Sequence, residues 1–323
     1  MMKINIQREW ACSDTPLFAS CHASTVWALP DGTILAAWFA GTREGHGDVG
    51  IWISRRTEEG WEPPERVAGE PGVPHWNPVF FQEDGELFLF YKVGQTIPGW
   101  DTRLIRSQDV GRTWSSPEKL EGANDLIGRG PVRNHPIRLN DGAWLAPASV
   151  ETTTQWDAFT DRSEDKGHTW KESAHIKINH DEIKGRGIIQ PTLWEDAAGV
   201  HMLLRSTDNY IYRSDSTDQG RSWSPAYRTE LLNNNSGIDL AQLDDGTLFL
   251  VHNPVDRDSG KRTPLVVSRS TDDGGSWETL LTLEKQEGEY SYPSIVAQRQ
   301  LLHVTYTWNR KRIAYWEVFC PTN

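Results

Sequence analysis

Cysteine is scarce in this sequence, with Cys12, Cys21 and Cys320 the only three among 323 residues. Their wide spacing gives no metal-ligand pairing and favours buried, reduced thiols. No apolar run approaches the ~20 residues of a membrane-spanning helix, so no membrane partner is expected. The first residues also lack the apolar region of a secretory signal, and we therefore expect a cytoplasmic protein.

Basic runs are missing too. Asp and Glu outnumber Lys and Arg by 45 to 33, which gives a net charge of −12. Such a surface repels phosphate-rich partners, so nucleic acid is not expected. No His/Asp cluster has the spacing of metal ligands, and we predict neither a metal nor a cofactor. Long helical periodicity is absent as well, which leaves an all-β class.

What the sequence does contain is a repeated octapeptide of the form Ser-x-Asp-x-Gly-x-Thr/Ser-Trp. The copies read "SQDVGRTW", "SEDKGHTW", "STDQGRSW" and "STDDGGSW", and they begin at Ser107, Ser163, Ser216 and Ser270. A degraded fifth copy, "SRRTEEGW", begins at Ser54. A period near 54 residues across this length predicts about six repeats of one structural unit.

A second repeat runs in the same phase and defines the unit. Short segments such as "WNPVFFQEDG" and "SGIDLAQLDDG" end in Asp-Gly turns, and an apolar strand such as "ELFLFYKVG" follows each. A third strand leads into the octapeptide and a fourth, weaker strand closes the unit. Six such units predict a six-bladed β-propeller of four-stranded antiparallel blades. We expect one domain over residues 1–323, with residues 4–10 closing the last blade.

The two faces of this propeller should differ in purpose. The octapeptides share one face with the Asp-Gly turns, and we interpret them as folding devices. The opposite face gathers the starts of first strands and the ends of second strands. Its candidate residues are polar, charged or aromatic: His22, Arg43, Glu44, Asp48, Asn77, Lys92, His135, Glu151, Gln190, Arg205, Ser236, Asn253, Arg262, Tyr290, Tyr292 and Trp308. Arginines beside aromatic rings suit an anionic sugar, because arginine binds carboxylates and aromatic rings stack on sugar faces.

The octapeptide is similar to the Asp-box, or bacterial neuraminidase repeat, and the chain resembles the sialidase (neuraminidase) superfamily over its whole length. Segments "WNPVFF", "SGIDL" and "GEYSYPS" resemble a bacterial sialidase-like group. The resemblance implies a substrate carboxylate held by three arginines, a tyrosine nucleophile activated by a glutamate, and an aspartate acid/base. A tyrosine nucleophile is a known exception to the usual pair of carboxylates in glycosidases.

Several site residues follow from this resemblance. "LLRS" implies Arg205 and "KRTPLVVS" implies Arg262 as carboxylate ligands. The loop "GTREGHGDVGIW" implies Asp48 as the acid/base, with Glu44 as second choice.

The nucleophile segment contains two tyrosines. "EYSYPS" implies Tyr290 as the nucleophile, and Tyr292 is the second choice. Two residues apart, they should lie on the same side of the strand.

Two positions depart from the sialidase pattern. His22, in "CHAS", stands where the first arginine is expected, and its reference pKa of ~6.5 leaves it mostly neutral at neutral pH. Gln190, in "IIQPTLW", stands where the activating glutamate is expected, and an amide cannot accept a proton. Glu289 and Glu151 are the alternative carboxylates for this role.

Three functions therefore remain open. The first is an exo-acting glycoside hydrolase that cleaves an α-linked acidic sugar with a tyrosine nucleophile. The second is a lyase or hydrolase for uronic-acid glycans, in which His22 or His135 acts with a tyrosine. The third is a non-catalytic glycan-binding propeller. In each case the partner is a small acidic oligosaccharide or glycoside, and the oligomeric state stays undetermined.

Overall fold

The computed structural model describes residues 6–120 and 129–320. Within these ranges the chain forms 25 strands in six antiparallel sheets, which confirms the predicted six-bladed propeller. The only helix in the described residues is a single 3₁₀ turn, and no helix there is long and apolar enough to span a membrane. All three cysteines are buried and unpaired.

Blades 1 to 3 follow one another along the chain, after an N-terminal strand β1 (Ile6–Cys12). Blade 1 contains β2 (Ser20–Ala28), β3 (Ile34–Gly41), β4 (Gly50–Thr57), β5 (Gly60–Trp61) and β6 (Glu65–Ala68). Blade 2 contains β7 (His75–Glu83), β8 (Glu86–Val93), the 3₁₀ turn Ile97–Gly99, β9 (Asp101–Ser107) and β10 (Glu118–Lys119). Blade 3 contains β11 (Ile137–Arg138), β12 (Trp144–Glu151), β13 (Trp156–Ser163) and β14 (Lys171–Glu172).

Blades 4 to 6 repeat the same order. Blade 4 contains β15 (Ile188–Glu195), β16 (Val200–Ser206), β17 (Tyr210–Ser216) and β18 (Tyr227–Leu232). Blade 5 contains β19 (Asp239–Gln242), β20 (Leu248–His252), β21 (Leu265–Ser270) and β22 (Glu278–Glu284). Blade 6 contains β23 (Tyr290–Gln298), β24 (Leu301–Trp308) and β25 (Arg312–Phe319).

The N-terminal strand completes blade 6. β1 pairs antiparallel with β25, with Arg8 opposite Trp316 and Trp10 opposite Ala314. The chain ends thus meet in one sheet, which covers the edge that β25 would otherwise expose. Positions 4 and 5 of the predicted closing strand lie outside the described residues.

The octapeptides form the same hydrogen-bonded turn in each of their four blades. In blade 3, the Ser163 hydroxyl donates to the Asp165 carboxylate over 2.8 Å, and the Thr169 backbone N–H donates to that same carboxylate over 2.8 Å. Gly167 takes a positive φ of 83° and donates its N–H to Ser163. The Trp170 ring then packs against Trp144 and Phe90 between blades. These contacts support the interpretation of the octapeptides as folding devices.

The inner strands of four blades carry a bulge at the same place. The pairing register shifts near the start of β2, β7, β15 and β23. At each shift one residue adopts a left-handed backbone, with φ between 38° and 54°: Ala23, Asn77, Gln190 and Tyr292. Non-glycine residues held in this region cluster at functional sites, so these four bulges identify this end of the inner strands as a candidate site.

Candidate functional site

Tyr292 lies at the centre of a group of arginines. Its hydroxyl accepts a hydrogen bond from Arg205 Nη1 over 2.9 Å. The guanidinium carbons of Arg133, Arg205 and Arg262 lie 5.4, 5.6 and 5.4 Å from the centre of its ring. Its side chain is only half-buried, so a ligand can reach this positively charged group.

His22 packs directly against Tyr292, with ring centres 4.3 Å apart. Its Nδ1 is 3.0 Å from the hydroxyl of Thr307, and the side chain is buried. Burial lowers the pKa of His22 well below its usual value, and the surrounding positive charges lower it further; these are Arg310, Arg262, Arg133 and Arg205. His22 is therefore neutral at neutral pH and adds no positive charge, although it occupies a position expected for an arginine.

Gln190 links Arg205 to a buried carboxylate. Its Oε1 accepts from Arg205 Nη1 over 3.0 Å, and its Nε2 donates to Glu151 Oε1 over 3.0 Å. Arg205 Nε also donates to Asn235 over 2.8 Å, which fixes the plane of the guanidinium. Within the described residues, the Glu151 carboxylate is therefore connected to Arg205 and Tyr292 only through the Gln190 amide.

A second set of charges borders the site on blades 5 and 6. Arg262 Nη1 donates to Glu289 Oε1 over 2.9 Å, and Arg310 Nε donates to the same oxygen over 2.9 Å. Arg310 also donates to Glu44 from the loop after β3. These residues surround a depression of about 500 Å³ lined in part by Arg262, Glu289 and Arg310. The surrounding wall therefore alternates positive and negative groups.

The loop between β3 and β4 carries the predicted acid/base. The Asp48 carboxylate accepts from the Thr42 hydroxyl over 2.7 Å and from the Thr42 N–H over 2.9 Å, and it lies 3.3 Å from His46 Nδ1. The bond from the Thr42 hydroxyl is the main reason that the pKa of Asp48 is lowered. Arg43 is exposed on this loop and has no carboxylate partner in the described residues.

Tyr290 does not join this group. Its side chain is buried in the apolar cluster shared by blades 5 and 6, where its ring lies 6.3 Å from Trp308. Among the described residues its hydroxyl reaches only the Glu287 carbonyl, at 3.4 Å, and burial raises its pKa. The expectation that both tyrosines share one side of the strand was wrong, because the bulge between Ser291 and Ser294 interrupts the alternation.

Lys92 is inaccessible to a ligand, contrary to its predicted role. It is fully buried, and its Nζ donates to Thr102 Oγ1 over 2.7 Å and to the Arg129 carbonyl over 3.4 Å. Burial lowers its pKa to about 7. The sequence placed Lys92 at a strand end, but the loop before blade 3 covers it.

His135 lies deeper along the axis. Its Nε2 is 3.2 Å from Thr25 Oγ1 and 3.1 Å from Ser294 Oγ, and its ring stacks on Trp27 at 5.3 Å. Burial lowers its pKa. With Trp27 it lines a cavity of about 430 Å³ that also includes residues from the opposite end of the inner strands. His135 is therefore separated from Tyr292.

The predicted site residues Asn77 and Trp308 lie in two different parts of the propeller. Asn77 is nearly buried at the left-handed bulge of β7, on the same ring of bulges as Tyr292. Trp308 ends β24, and its ring contacts Trp10 at 5.5 Å and Arg312 at 5.2 Å, on the outer side of blade 6. Of these two, only Asn77 belongs to the inner ring.

Arg133 was missed by the sequence analysis. It precedes β11 in blade 3, yet its Nη2 donates to the Pro293 carbonyl in blade 6, across the axis. It is only 1% exposed, and burial lowers its pKa to about 10. The sequence repeat predicted that the first strand of blade 3 starts at His135, and Arg133 lies two residues before that start. Extending each first strand by two residues would have included it.

Comparison with known proteins agrees with this architecture. A BNR repeat-like domain model matches residues 32–304. The chain belongs to this BNR repeat-like family. A search of curated protein sequences finds no match.

Solved structures resemble this BNR repeat-like protein over nearly all of its length. A protein of unknown function from Dyadobacter fermentans is 16% identical with a TM-score of 0.77, covering 98% of this chain and 99% of that one. A Trypanosoma rangeli sialidase is 14% identical with a TM-score of 0.77, and the match covers 97% of this chain but only 59% of the sialidase. A mutant NanB sialidase from Streptococcus pneumoniae is 12% identical with a TM-score of 0.74, covering 95% and 69%. At such identities the likeness shows the sialidase-like fold alone.

Proposed function

We propose that this protein is a glycoside hydrolase for an α-linked acidic sugar and that Tyr292 is its nucleophile. The observation that carries the proposal is the hydrogen bond from Arg205 to the Tyr292 hydroxyl within a group of three arginines. The similar solved structures include a Trypanosoma rangeli sialidase in complex with sialic acid, which favours a sugar carboxylate as the ligand.

The chemistry assigns a task to each group. Arg205 and Arg262 bind the sugar carboxylate, since guanidinium groups match carboxylates in shape and charge. The Tyr292 oxygen attacks the anomeric carbon, the bond to the leaving oxygen breaks, and Asp48 donates a proton to that oxygen. Asp48 acts here from its protonated form, which the hydrogen bonds from Thr42 make the minor form in the free protein. Water then attacks the glycosyl-tyrosine, Asp48 takes its proton, and the tyrosine oxygen is released. A phenol suits this task because a carboxylate nucleophile would be repelled by the substrate's own carboxylate.

This mechanism must work without the glutamate that is expected to activate the tyrosine. Gln190 cannot accept the phenol proton, and Glu151 is the nearest carboxylate along the hydrogen-bonded chain. In the proposed mechanism the Tyr292 phenol loses its proton to solvent water before the attack, and the neighbouring guanidiniums stabilise the resulting phenolate. When the sugar is released as the phenolate leaves, the tyrosine oxygen takes a proton back from solvent.

Hydrolysis of an aryl α-ketoside of sialic acid by the wild type, Tyr292→Phe and Tyr290→Phe tests the proposal. We expect Tyr292→Phe to lower kcat by at least about 1000-fold, because it removes the nucleophile. Tyr290→Phe should stay near the wild-type rate, since the Tyr290 hydroxyl makes only one long contact. No turnover by folded wild type, or equal losses in both variants, would reject this assignment.

A second candidate is a lyase for uronic-acid glycans, and the neutral state of His22 favours it. A buried, neutral imidazole beside Tyr292 suits a base that removes the proton next to a uronate carboxylate. The arginines would neutralise that carboxylate and Tyr292 would protonate the leaving oxygen. Incubation with uronate oligosaccharides would then produce the ultraviolet absorbance of an unsaturated product, and His22→Asn would abolish it. Reducing-end release without this absorbance would exclude elimination.

A further inference from the structure

A stacked pair of side chains borders the arginine group on blades 3 and 4. The Arg186 guanidinium carbon lies 4.0 Å from the centre of the Trp156 ring. Arg205 lies 5.8 Å from the centre of the same ring. Trp156 begins β13, directly after the loop that follows Glu151, so this pair sits on the face that carries Tyr292.

The backbone fixes this pair in place. The Trp156 N–H donates to the Arg186 carbonyl over 2.9 Å, and Trp156 forms a parallel bridge with Gly187. Gly187 has a φ of 134°, and a Cβ there would come within 2.2 Å of the Trp156 carbonyl oxygen. Only glycine permits so close an approach, so the loop that carries Arg186 is anchored to the edge of blade 3.

Arg186 makes no ion pair in the part of the chain that the structure describes. It is exposed, and within residues 6–120 and 129–320 its guanidinium has neither a carboxylate nor a hydrogen-bond partner. Two guanidiniums that contact one ring repel each other unless an anion lies near them. Arg205 is compensated through Gln190 and Glu151, whereas nothing in the described residues compensates Arg186.

We propose that Arg186 and Trp156 form a second, separate subsite that binds the carboxylate of the neighbouring sugar in an acidic oligosaccharide. The proposal rests on the proposed function and narrows its substrate to glycans with two consecutive acidic sugars. Arg186 offers paired N–H donors held flat against an aromatic ring, which is the arrangement that binds a carboxylate with both oxygens. A neutral second sugar would leave these donors unused.

Calorimetric binding to the full chain carrying Tyr292→Phe, which prevents turnover, tests the subsite. The probes are an α2,8-linked sialic acid dimer and 3′-sialyllactose, whose second sugar is neutral; digalacturonate and methyl galacturonide form the matching uronate pair. We expect the diacidic probe of one series to bind about tenfold more tightly than its monoacidic partner. Arg186→Gln should remove this preference and leave the monoacidic affinity unchanged.

Arg112→Gln is the matched control, because Arg112 is an exposed arginine without a carboxylate partner in the described residues and lies in an octapeptide on the opposite face. It should retain the full preference. A preference that survives Arg186→Gln, or equal binding of both probes in a series, overturns the subsite and leaves the proposed function standing. Absence of binding by all four probes overturns both proposals.

Discussion

The two faces of the propeller differ in what the blades repeat. On the octapeptide face, four turns repeat the same contacts, with Ser-to-Asp hydrogen bonds of 2.7 to 2.8 Å in every copy. On the Tyr292 face, the bulges repeat only in backbone shape, and each carries a different side chain. Repetition of side chains within the chain therefore marks folding, whereas a repeated backbone with divergent side chains marks the candidate site.

The charges follow the same division. The octapeptide aspartates are satisfied within their own turns; the bond from the Ser276 hydroxyl is the main reason that the pKa of Asp272 is lowered to about 2. On the other face the charges belong to arginines from several blades, and some keep no partner in the described residues. A protein with a net charge of −12 thus gathers several arginines on one face.

The sharpest test of this comparison uses two arginines of the same repeat. Arg205→Met should lower kcat/KM by at least about 100-fold, because truncating a buried, hydrogen-bonded charge costs about 2–5 kcal/mol. Arg221→Met, on the octapeptide face, should leave kcat/KM unchanged because Arg221 is exposed. Kinetics on the substrate established for the wild type would measure both. Equal losses would mean that the two faces do not differ in function.

A second test exchanges Gln190, which departs from the sialidase pattern, with the carboxylate of Glu151 to which it is hydrogen-bonded. The double variant Glu151→Gln/Gln190→Glu keeps the net charge and brings the carboxylate next to Arg205. We expect kcat for an aryl sialoside to rise at least about tenfold, since a positioned base contributes about 100-fold or more.

The single variant Gln190→Glu serves as its control. It sets two carboxylates face to face, and these must share a proton, so its rate should rise less and depend more strongly on pH. An unchanged rate in the double variant would show that base catalysis at position 190 does not limit turnover, and would favour the lyase.

The sequence determined the fold far better than the site, for a physical reason. The octapeptide and the Asp-Gly turns are local, so their spacing predicts the strands and the number of blades. Gln190 and His22 were found because they lie at the starts of first strands, whereas Arg205 was found at the end of a second strand and through the resemblance of its segment to sialidases. Arg133 lies two residues before the predicted start of its strand and reaches across the axis, and the two tyrosines are separated by a bulge that no local pattern reveals.

On the octapeptide face, loss of one turn should affect stability and not activity. Asp165→Ala removes three hydrogen bonds, and we expect the free energy of unfolding to fall by about 1–2 kcal/mol. Urea denaturation would measure this change, while kcat should remain at the wild-type value. Asp244→Ala is the control, since Asp244 lies in an exposed turn and its side chain has no hydrogen-bond partner in the described residues. A loss of activity in Asp165→Ala would contradict the purely structural role of the octapeptides.

The smallest expected effect is on the pH dependence of stability, and it concerns His201 in β16 of blade 4. Burial opposes its protonation, but hydrogen bonds to Asp215 (2.6 Å) and Asp196 (3.0 Å) outweigh burial and raise its pKa, although Arg213 lies nearby. Because the folded-state pKa exceeds the unfolded value of about 6.5, this stabilisation is fully present below that pH and is lost as the pH rises through the folded pKa. The loss of unfolding free energy caused by His201→Asn should therefore shrink from pH 6 to pH 9, from a maximum of about 1 kcal/mol. The Tm difference between wild type and variant should shrink with it. Asp196→Asn should weaken the same pH dependence, and a Tm difference that stays constant with pH would show that His201 is not protonated in the folded protein.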